Sequence, residues 1–191
     1  ARGGDYPSIK EFSKICIDSG CQGITVHPRD DMRHINPEDV KILKELTKES
    51  EVEFNIEGNP FSEQKGKYPG FLQLIKSYQP DQCTLVPDAS SQLTSDHGWD
   101  LLGDNSRLAS LIKTIKTYGS RVSLFMDPSE EGISKAKEVG ADRIELYTGP
   151  YAEAVKHQKG IKDLIRQYSA ADKHAHNLGL GVNAGHDLNL S

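Results

Sequence analysis

The chain has 191 residues, 36% of them hydrophobic and 27% charged, which is an ordinary composition for one globular domain with a sizeable core. Its net charge of −5 disfavours a nucleic-acid-binding surface, which would need a basic excess. The sequence shows no apolar run long enough for a membrane span, no secretory pattern and no C-x-x-C pair among its three cysteines, so we expect a cytoplasmic location with free thiols.

The first predicted element is an amphipathic helix over residues 8–18. Ser8 and Glu11 have the spacing of a capping box, which marks a helix start. A β-rich apolar segment over residues 23–27 follows. The next helix is predicted to begin at Asn36, because an N-cap residue is followed there by proline at the first helical position. The pattern therefore opens as helix, strand, helix.

The same alternation continues through the rest of the chain. Further strands are predicted over residues 52–57, 82–87, 121–126, 143–147 and 180–184. Helices are predicted near residues 71–78, 108–115 and 130–139, and from about 156 to 177. Alternating strands and helices indicate βαβ units and a parallel α/β sheet. Periodicity alone leaves two architectures open, a doubly wound sheet and an incomplete (β/α)8 barrel.

Ionisable residues recur in or just after the predicted strands. They are His27, Glu57, Glu145 and His186. Parallel α/β folds bind ligands at the carboxyl ends of their strands, so we expect these side chains to share one site. The structural alternatives are buried core histidines and ion-paired glutamates. Zinc binding by the four is a further alternative, but no local ligand spacing supports it, so we expect no metal.

Two segments resemble a known family. Residues 23–35, GITVHPRDDMRHI, are similar to the signature loop of pyridoxine 5′-phosphate synthases, and residues 181–186, GVNAGH, are similar to a second motif of that family. Further matches keep the family's order from end to end. The resemblance implies a (β/α)8 TIM barrel that forms a single domain over residues 1–191. It also implies that the first and eighth strands are missing, which leaves the barrel incomplete at both ends.

The resemblance also implies an enzymatic activity. Members of the family are ring-closing transferases of vitamin B6 synthesis, which condense 1-deoxy-D-xylulose 5-phosphate with 3-amino-2-oxopropyl phosphate and release phosphate and water. The reaction consists of acid–base steps without redox chemistry, so no cofactor is expected. The implied partners are small phosphorylated substrates and copies of the same chain in a homo-octamer, with no nucleic acid and no membrane.

The family's site residues carry over onto matching positions of this sequence. His27 and Glu57 would accept protons, His186 would donate one, and Glu145 would stabilise charge in the transition state. The implied substrate-binding residues are Arg29, His34 and Thr94 at the deoxyxylulose phosphate, Arg2 at the aminoketone phosphate, and Asp187. Three places depart from the family pattern. Asp187 replaces a common Gly and Tyr147 replaces a common His, and the segment TSDHGW over residues 94–99 differs from the family's usual TTEGG.

Two rival functions remain open at this point. One is another phosphosugar TIM-barrel enzyme, such as an aldolase or an epimerase. A Schiff-base aldolase needs a lysine at a strand end, whereas the strand ends here carry His, Glu and Asp. The other rival is a protein without activity, either an inactive homologue or a fragment retained for assembly. The intact set of four acid–base residues disfavours this second rival.

Overall fold

A computed structural model of the chain describes residues 8–89 and 92–188. Its elements are α1 (Ile9–Asp18), β1 (Gly23–Val26), α2 (Pro37–Glu49), β2 (Glu53–Gly58), α3 (Phe71–Tyr78), β3 (Gln82–Leu85), α4 (Ser106–Thr117), β4 (Arg121–Met126), α5 (Glu130–Glu138), β5 (Arg143–Tyr147), α6 (Gly149–His157), α7 (Ile161–Asn177) and β6 (Gly181–Gly185). Among the helices of these residues, none is long and apolar enough to cross a bilayer. The expected phosphate ligand Arg2 lies outside the described residues.

The strands form one parallel sheet in the order β1-β2-β3-β4-β5-β6. A doubly wound sheet reverses its strand order at a switch point, and no reversal occurs among these six strands. Right-handed crossovers between neighbouring parallel strands place successive helices on the same face, as in a barrel. The predicted TIM-barrel class is therefore confirmed, as six consecutive strands of such a barrel, and the open-sheet alternative is wrong.

The two faces of the sheet differ in chemistry. On one face, apolar strand residues such as Phe54 and Ile56 belong to the core beneath the helices. On the other face, which we call the interior face, Asn55 donates hydrogen bonds to the hydroxyls of Thr25 at 3.2 Å and Thr84 at 3.0 Å. Successive strand residues point to opposite faces, so residues two positions further along each strand also lie on the interior face. Its carboxyl end therefore carries the expected site.

The prediction of a helix from about residue 156 to 177 is correct for α7 but starts too early, and it misses α6. The structure has two helices there, because Gln158 with a φ of 52° and Gly160 with a φ of 73° both adopt the left-handed conformation. A left-handed residue ends an α-helix, and glycine adopts this conformation without steric cost. The predicted start at about residue 156 lies in the last turn of α6, so the prediction extended α7 across this break.

Candidate active site

His27 and Glu57 form the first contact of the site. His27 follows β1 and Glu57 lies near the end of β2, so both stand at the carboxyl edge of neighbouring strands. The Nδ1 atom of His27 lies 3.1 Å from Oε1 of Glu57, whose side chain is almost entirely buried. A buried carboxylate at this distance can accept a proton from the imidazole.

His186 extends this contact along the same face of the sheet towards β5 and β6. Its Nε2 atom lies 3.7 Å from Oε1 of Glu57, and its Nδ1 atom lies 3.5 Å from Oε1 of Glu145. Glu145 lies in β5 and His186 directly follows β6. The structure therefore brings together all four residues expected to act as acids and bases, in the alternating order His27, Glu57, His186, Glu145. Their catalytic roles stay predictions.

The charge environment of His186 favours its protonated form. Burial of the ring lowers the pKa of His186, but the interaction with Glu145 and the negative charges of Glu57 and Asp187 outweigh burial and raise the pKa above its ordinary value. At neutral pH the ring is therefore better able to carry a proton than a free imidazole. This is the state that a proton donor needs.

Two aromatic rings pack against the His186 ring, and the backbone of His186 adopts an uncommon conformation. The centroid of the Phe125 ring lies 4.5 Å from the imidazole centroid, and the Tyr147 ring lies edge-on at 6.1 Å. His186 itself has a φ of 81°, an uncommon conformation for a residue with a side chain. The Thr148 hydroxyl lies within hydrogen-bonding distance of the carbonyl oxygens of His186 and of the preceding residue, which both accept. The Thr148 hydroxyl thus anchors the backbone of the turn after β6, and the two aromatic rings pack against the His186 side chain.

Gly185 permits the close approach of β6 to Glu145. A Cβ atom built on Gly185 would lie 2.8 Å from Oε1 of Glu145. This separation is shorter than real Cβ contacts allow, so a larger residue would displace the carboxylate or the strand. The glycine of the GVNAGH segment therefore has a steric role in the site.

Arg29 is buried in contact with the loop that follows β3. The residue is 8% exposed, and its Nη1 donates to Oδ2 of Asp88 at 2.8 Å. Its Nη2 donates to the backbone carbonyls of Gln92 at 2.8 Å and Ala89 at 3.2 Å. Asp88 was not among the expected site residues. Its position just after a strand is the same signal that identified the others.

The remaining expected substrate ligands are exposed. His34 lies on the loop after β1 and Thr94 on the loop after β3, and neither makes a hydrogen bond or an ion pair to the described residues. Asp187 is exposed directly beside His186. The structure therefore places Asp187 at the four-residue cluster and records no contact of His34 or Thr94 with it. Their substrate contacts stay predictions.

Two cavities flank the cluster. A cavity of about 900 Å³ lies on the His186 side, where Tyr147, Asp187 and the first turns of α6 line it. A second cavity of about 420 Å³ lies on the other side, where Asn59 and Asp88 contribute to its wall. A small recess that includes His27 shares both of these residues with the second cavity. Of the four acid–base residues, His27 lines the small recess, and Asp187 beside His186 borders the larger cavity.

The zinc alternative receives no support from side-chain placement. Within residues 8–89 and 92–188, no group of three His, Cys, Asp or Glu side chains is arranged to hold a metal ion. What the cluster offers instead is a set of imidazoles and carboxylates in mutual contact. Such a set can pass protons between groups of a bound substrate.

Comparisons with known proteins show which family the chain matches. The family model described as "Pyridoxal phosphate biosynthesis protein PdxJ" matches residues 1–191. A pyridoxine 5′-phosphate synthase of Xanthomonas axonopodis pv. citri (strain 306) is 53% identical over 189 residues, which cover 98% of this chain and 73% of the relative. The corresponding protein of Xylella fastidiosa (strain M23) is 50% identical over 189 residues, with coverage of 98% and 72%.

A solved structure supports the fold. Deoxyribose phosphate aldolase from Aeropyrum pernix is similar with a TM-score of 0.60 at 15% sequence identity, over 97% of this chain and 72% of that one. At this identity the likeness concerns the fold alone. The family model, which matches the chain from end to end, and the 53% identical relatives establish that the chain is a member of the PdxJ family of pyridoxal phosphate biosynthesis proteins, whose similar relatives are enzymes named pyridoxine 5′-phosphate synthase.

Proposed function

We propose that the protein condenses 1-deoxy-D-xylulose 5-phosphate with 3-amino-2-oxopropyl phosphate, closes the pyridine ring of pyridoxine 5′-phosphate and releases phosphate and water. The observation that carries the proposal is the alternating contact of His27, Glu57 and His186, continued by Glu145. Imine formation, dehydration and ring closure each move protons, so the reaction needs several acid–base groups in one pocket.

The four side chains divide this work by their environments. His27 and Glu57, 3.1 Å apart, act as proton acceptors, and a proton taken by one can be shared with the other. His186 acts as the proton donor, in keeping with its raised pKa. Glu145 stabilises positive charge that develops on the substrate in the transition state. No redox step is involved, and neither a cofactor nor a metal takes part in this scheme.

The two cavities suit a reaction of two substrates. Arg29, with His34 and Thr94 on the adjoining loops, holds the deoxyxylulose phosphate. Three N–H donors of Arg29 are engaged by Asp88 and by loop carbonyls, and an arginine has five, so donors remain for a phosphate oxygen. Arg2 binds the aminoketone phosphate, and Asp187 borders the larger cavity.

The direct test is incubation of the purified protein with both substrates. We expect the absorbance of pyridoxine 5′-phosphate to appear together with one equivalent of inorganic phosphate, and only when both substrates are present. A folded protein that yields no product would contradict the proposal. Activity that persists after dialysis against a chelator would support a mechanism without a metal.

A borohydride experiment separates this proposal from the aldolase rival. An enzyme that forms a Schiff base through a lysine is trapped as a stable adduct when its substrate complex is reduced. We expect no mass increase of the protein after borohydride treatment with either substrate. A covalent adduct on a lysine would favour the aldolase rival.

We further propose that the protein forms a homo-octamer in the cytoplasm and acts on small molecules without a nucleic-acid or membrane partner. Cys16, Cys21 and Cys83 are free thiols in the structure, which is consistent with a reducing compartment. Light scattering of the purified protein should give a mass close to eight times that of the chain. A monomeric mass would contradict the assembly.

A further inference from the structure

The alternation of carboxylates and imidazoles continues past His27. The Nε2 atom of His27 lies 3.9 Å from Oδ2 of Asp88, on the side of the ring opposite Glu57. Asp88 follows β3, so the extended series uses the carboxyl ends of neighbouring strands in the same way as the rest of the site. The series is then Asp88, His27, Glu57, His186 and Glu145.

Asp88 is buried and takes part in several hydrogen bonds. The residue is 5% exposed, and its Oδ2 accepts hydrogen bonds from Arg29 at 2.8 Å and from the Ser95 hydroxyl at 3.0 Å. Its backbone carbonyl accepts a hydrogen bond from Asn59 at 2.7 Å. The other carboxylate oxygen, Oδ1, is buried and has no hydrogen-bond partner among the described residues. A buried carboxylate oxygen without a hydrogen-bond partner destabilises the folded state, so the presence of Oδ1 at this position needs a physical explanation.

Charge balance supplies such a reason. The series contains three carboxylates, and the groups that face them are two imidazoles and the guanidinium of Arg29. Asp187 adds a further negative charge beside His186, so the cations do not outnumber the carboxylates even when both imidazoles are protonated. Without Asp88, the buried Arg29 and a protonated, partly exposed His27 would be two cations that have lost the carboxylate oxygen that both now contact, and the protonated ring would be disfavoured.

We propose that Asp88 is a positioning residue for His27: through its contact at Nε2 it stabilises the protonated ring, while the same oxygen holds Arg29. The inference rests on the proposed role of His27 as a proton acceptor. The charged or titratable groups around this ring and its partners are Glu57, Asp88, Arg29, Asp30, which lines the same recess as His27, and His186, which faces Glu57.

The first test follows the ring itself and does not depend on turnover. The protein is labelled with ¹³C and ¹⁵N at histidine, and the His27 signal is identified by its loss in His27→Asn. In Asp88→Asn, which keeps the side-chain shape, the midpoint of the His27 titration should fall by at least about 0.5 pH unit, because a negative charge near the ring is lost. An unchanged midpoint would overturn the inference.

Ser95→Ala is the matched control. It removes a hydrogen bond to the same carboxylate oxygen but leaves the charge in place. The midpoint should therefore stay within about 0.2 pH unit of the wild-type value. If Ser95→Ala moved the midpoint as far as Asp88→Asn, Asp88 would be only a structural anchor of its loop.

The second test uses the reaction. In Asp88→Asn the acidic limb of the plot of kcat against pH should move to lower pH, as the midpoint of the ring titration does. The KM should change by less than about threefold. In Asp88→Glu the acidic limb should lie where it does in the wild type. A wild-type protein that makes no pyridoxine 5′-phosphate would refute the proposed function, whereas the ring titration would still decide the role of Asp88.

A paired variant covers the case in which Asp88→Asn does not fold. Removing one member of a buried ion pair is strongly destabilising, whereas removing both together is often tolerated. The His27 midpoint is then compared between Arg29→Gln and the double variant Arg29→Gln/Asp88→Asn. A lower midpoint in the double variant supports the inference, and equal midpoints overturn it.

Discussion

At the scale of single residues, Glu57 holds the central position of the site. One of its carboxylate oxygens lies near Nδ1 of His27 and also near Nε2 of His186, so it faces both imidazoles. The side chain is almost completely buried and lies on the interior face of β2, two positions beyond Asn55. Removing its charge should therefore disturb proton transfer at both rings while leaving the helix-facing core untouched.

We expect Glu57→Gln to reduce kcat by a factor of roughly 10² or more, in the range of general-base contributions, while the far-UV circular dichroism stays unchanged. Glu53→Gln is the matched control, because Glu53 begins the same strand and pairs with Arg121 away from the cluster. Its turnover should be close to that of the wild type. Near-wild-type turnover in Glu57→Gln would remove Glu57 from the mechanism.

At the scale of secondary-structure elements, the junction of β5, α6 and β6 decides where two of the four candidate acid–base residues lie. Tyr147 pairs with Gly185 in the sheet, and Glu145 pairs with Asn183. Thr148, between β5 and α6, binds the backbone of the turn after β6. The site at this end is therefore built by backbone register and by a glycine contact rather than by flexible side chains.

We expect Gly185→Ala to destabilise the protein by about 1–3 kcal/mol and to lower turnover at least tenfold, because the added methyl group would overlap the Glu145 carboxylate. Urea unfolding and steady-state kinetics measure the two effects. Gly103→Ala is the control, since a Cβ atom there meets nothing within 4 Å. Equal stability and turnover in both variants would show that the contact between β6 and Glu145 is looser than the structure indicates.

At the scale of the whole molecule, the six strands keep an apolar face for the helices and a polar face for chemistry. Acidic groups around His186 make the folded state bind a proton more tightly than the unfolded chain does. A raised pKa in the folded state contributes stability that is fully present below the unfolded value, near 6.5, and is lost as the pH rises through the folded value. The free energy of unfolding is thus linked to the protonation state of the His186 ring.

We therefore expect the free energy of unfolding of the wild type to fall as the pH is raised from about 6 through the folded pKa of His186. In His186→Asn this decrease should be smaller over the same interval. Urea unfolding at a series of pH values measures both curves. Parallel curves for the two proteins would indicate that His186 is not the group responsible.

The sequence alone predicted the α/β class, all six strands and most of the helices, because caps and apolar periodicity are local properties. It also identified His27, Glu57, Glu145 and His186, since residues at the carboxyl ends of parallel strands must meet at one edge of the sheet. It missed α6 and placed the start of α7 too early, because Gln158, which ends α6 in a left-handed conformation, is not a residue that commonly marks a helix end.

Only the tertiary structure decided the order of the strands and the partners of each side chain. A strand sequence is compatible with a doubly wound sheet as well as with a barrel, because both cover parallel strands with helices. The contact of Asp88 with His27 and Arg29 joins residues about 60 positions apart, and no local pattern encodes such a distance. The sequence determined which side chains could take part in acid–base chemistry. The fold decided which of these side chains are in contact, because the contacts depend on the register between strands.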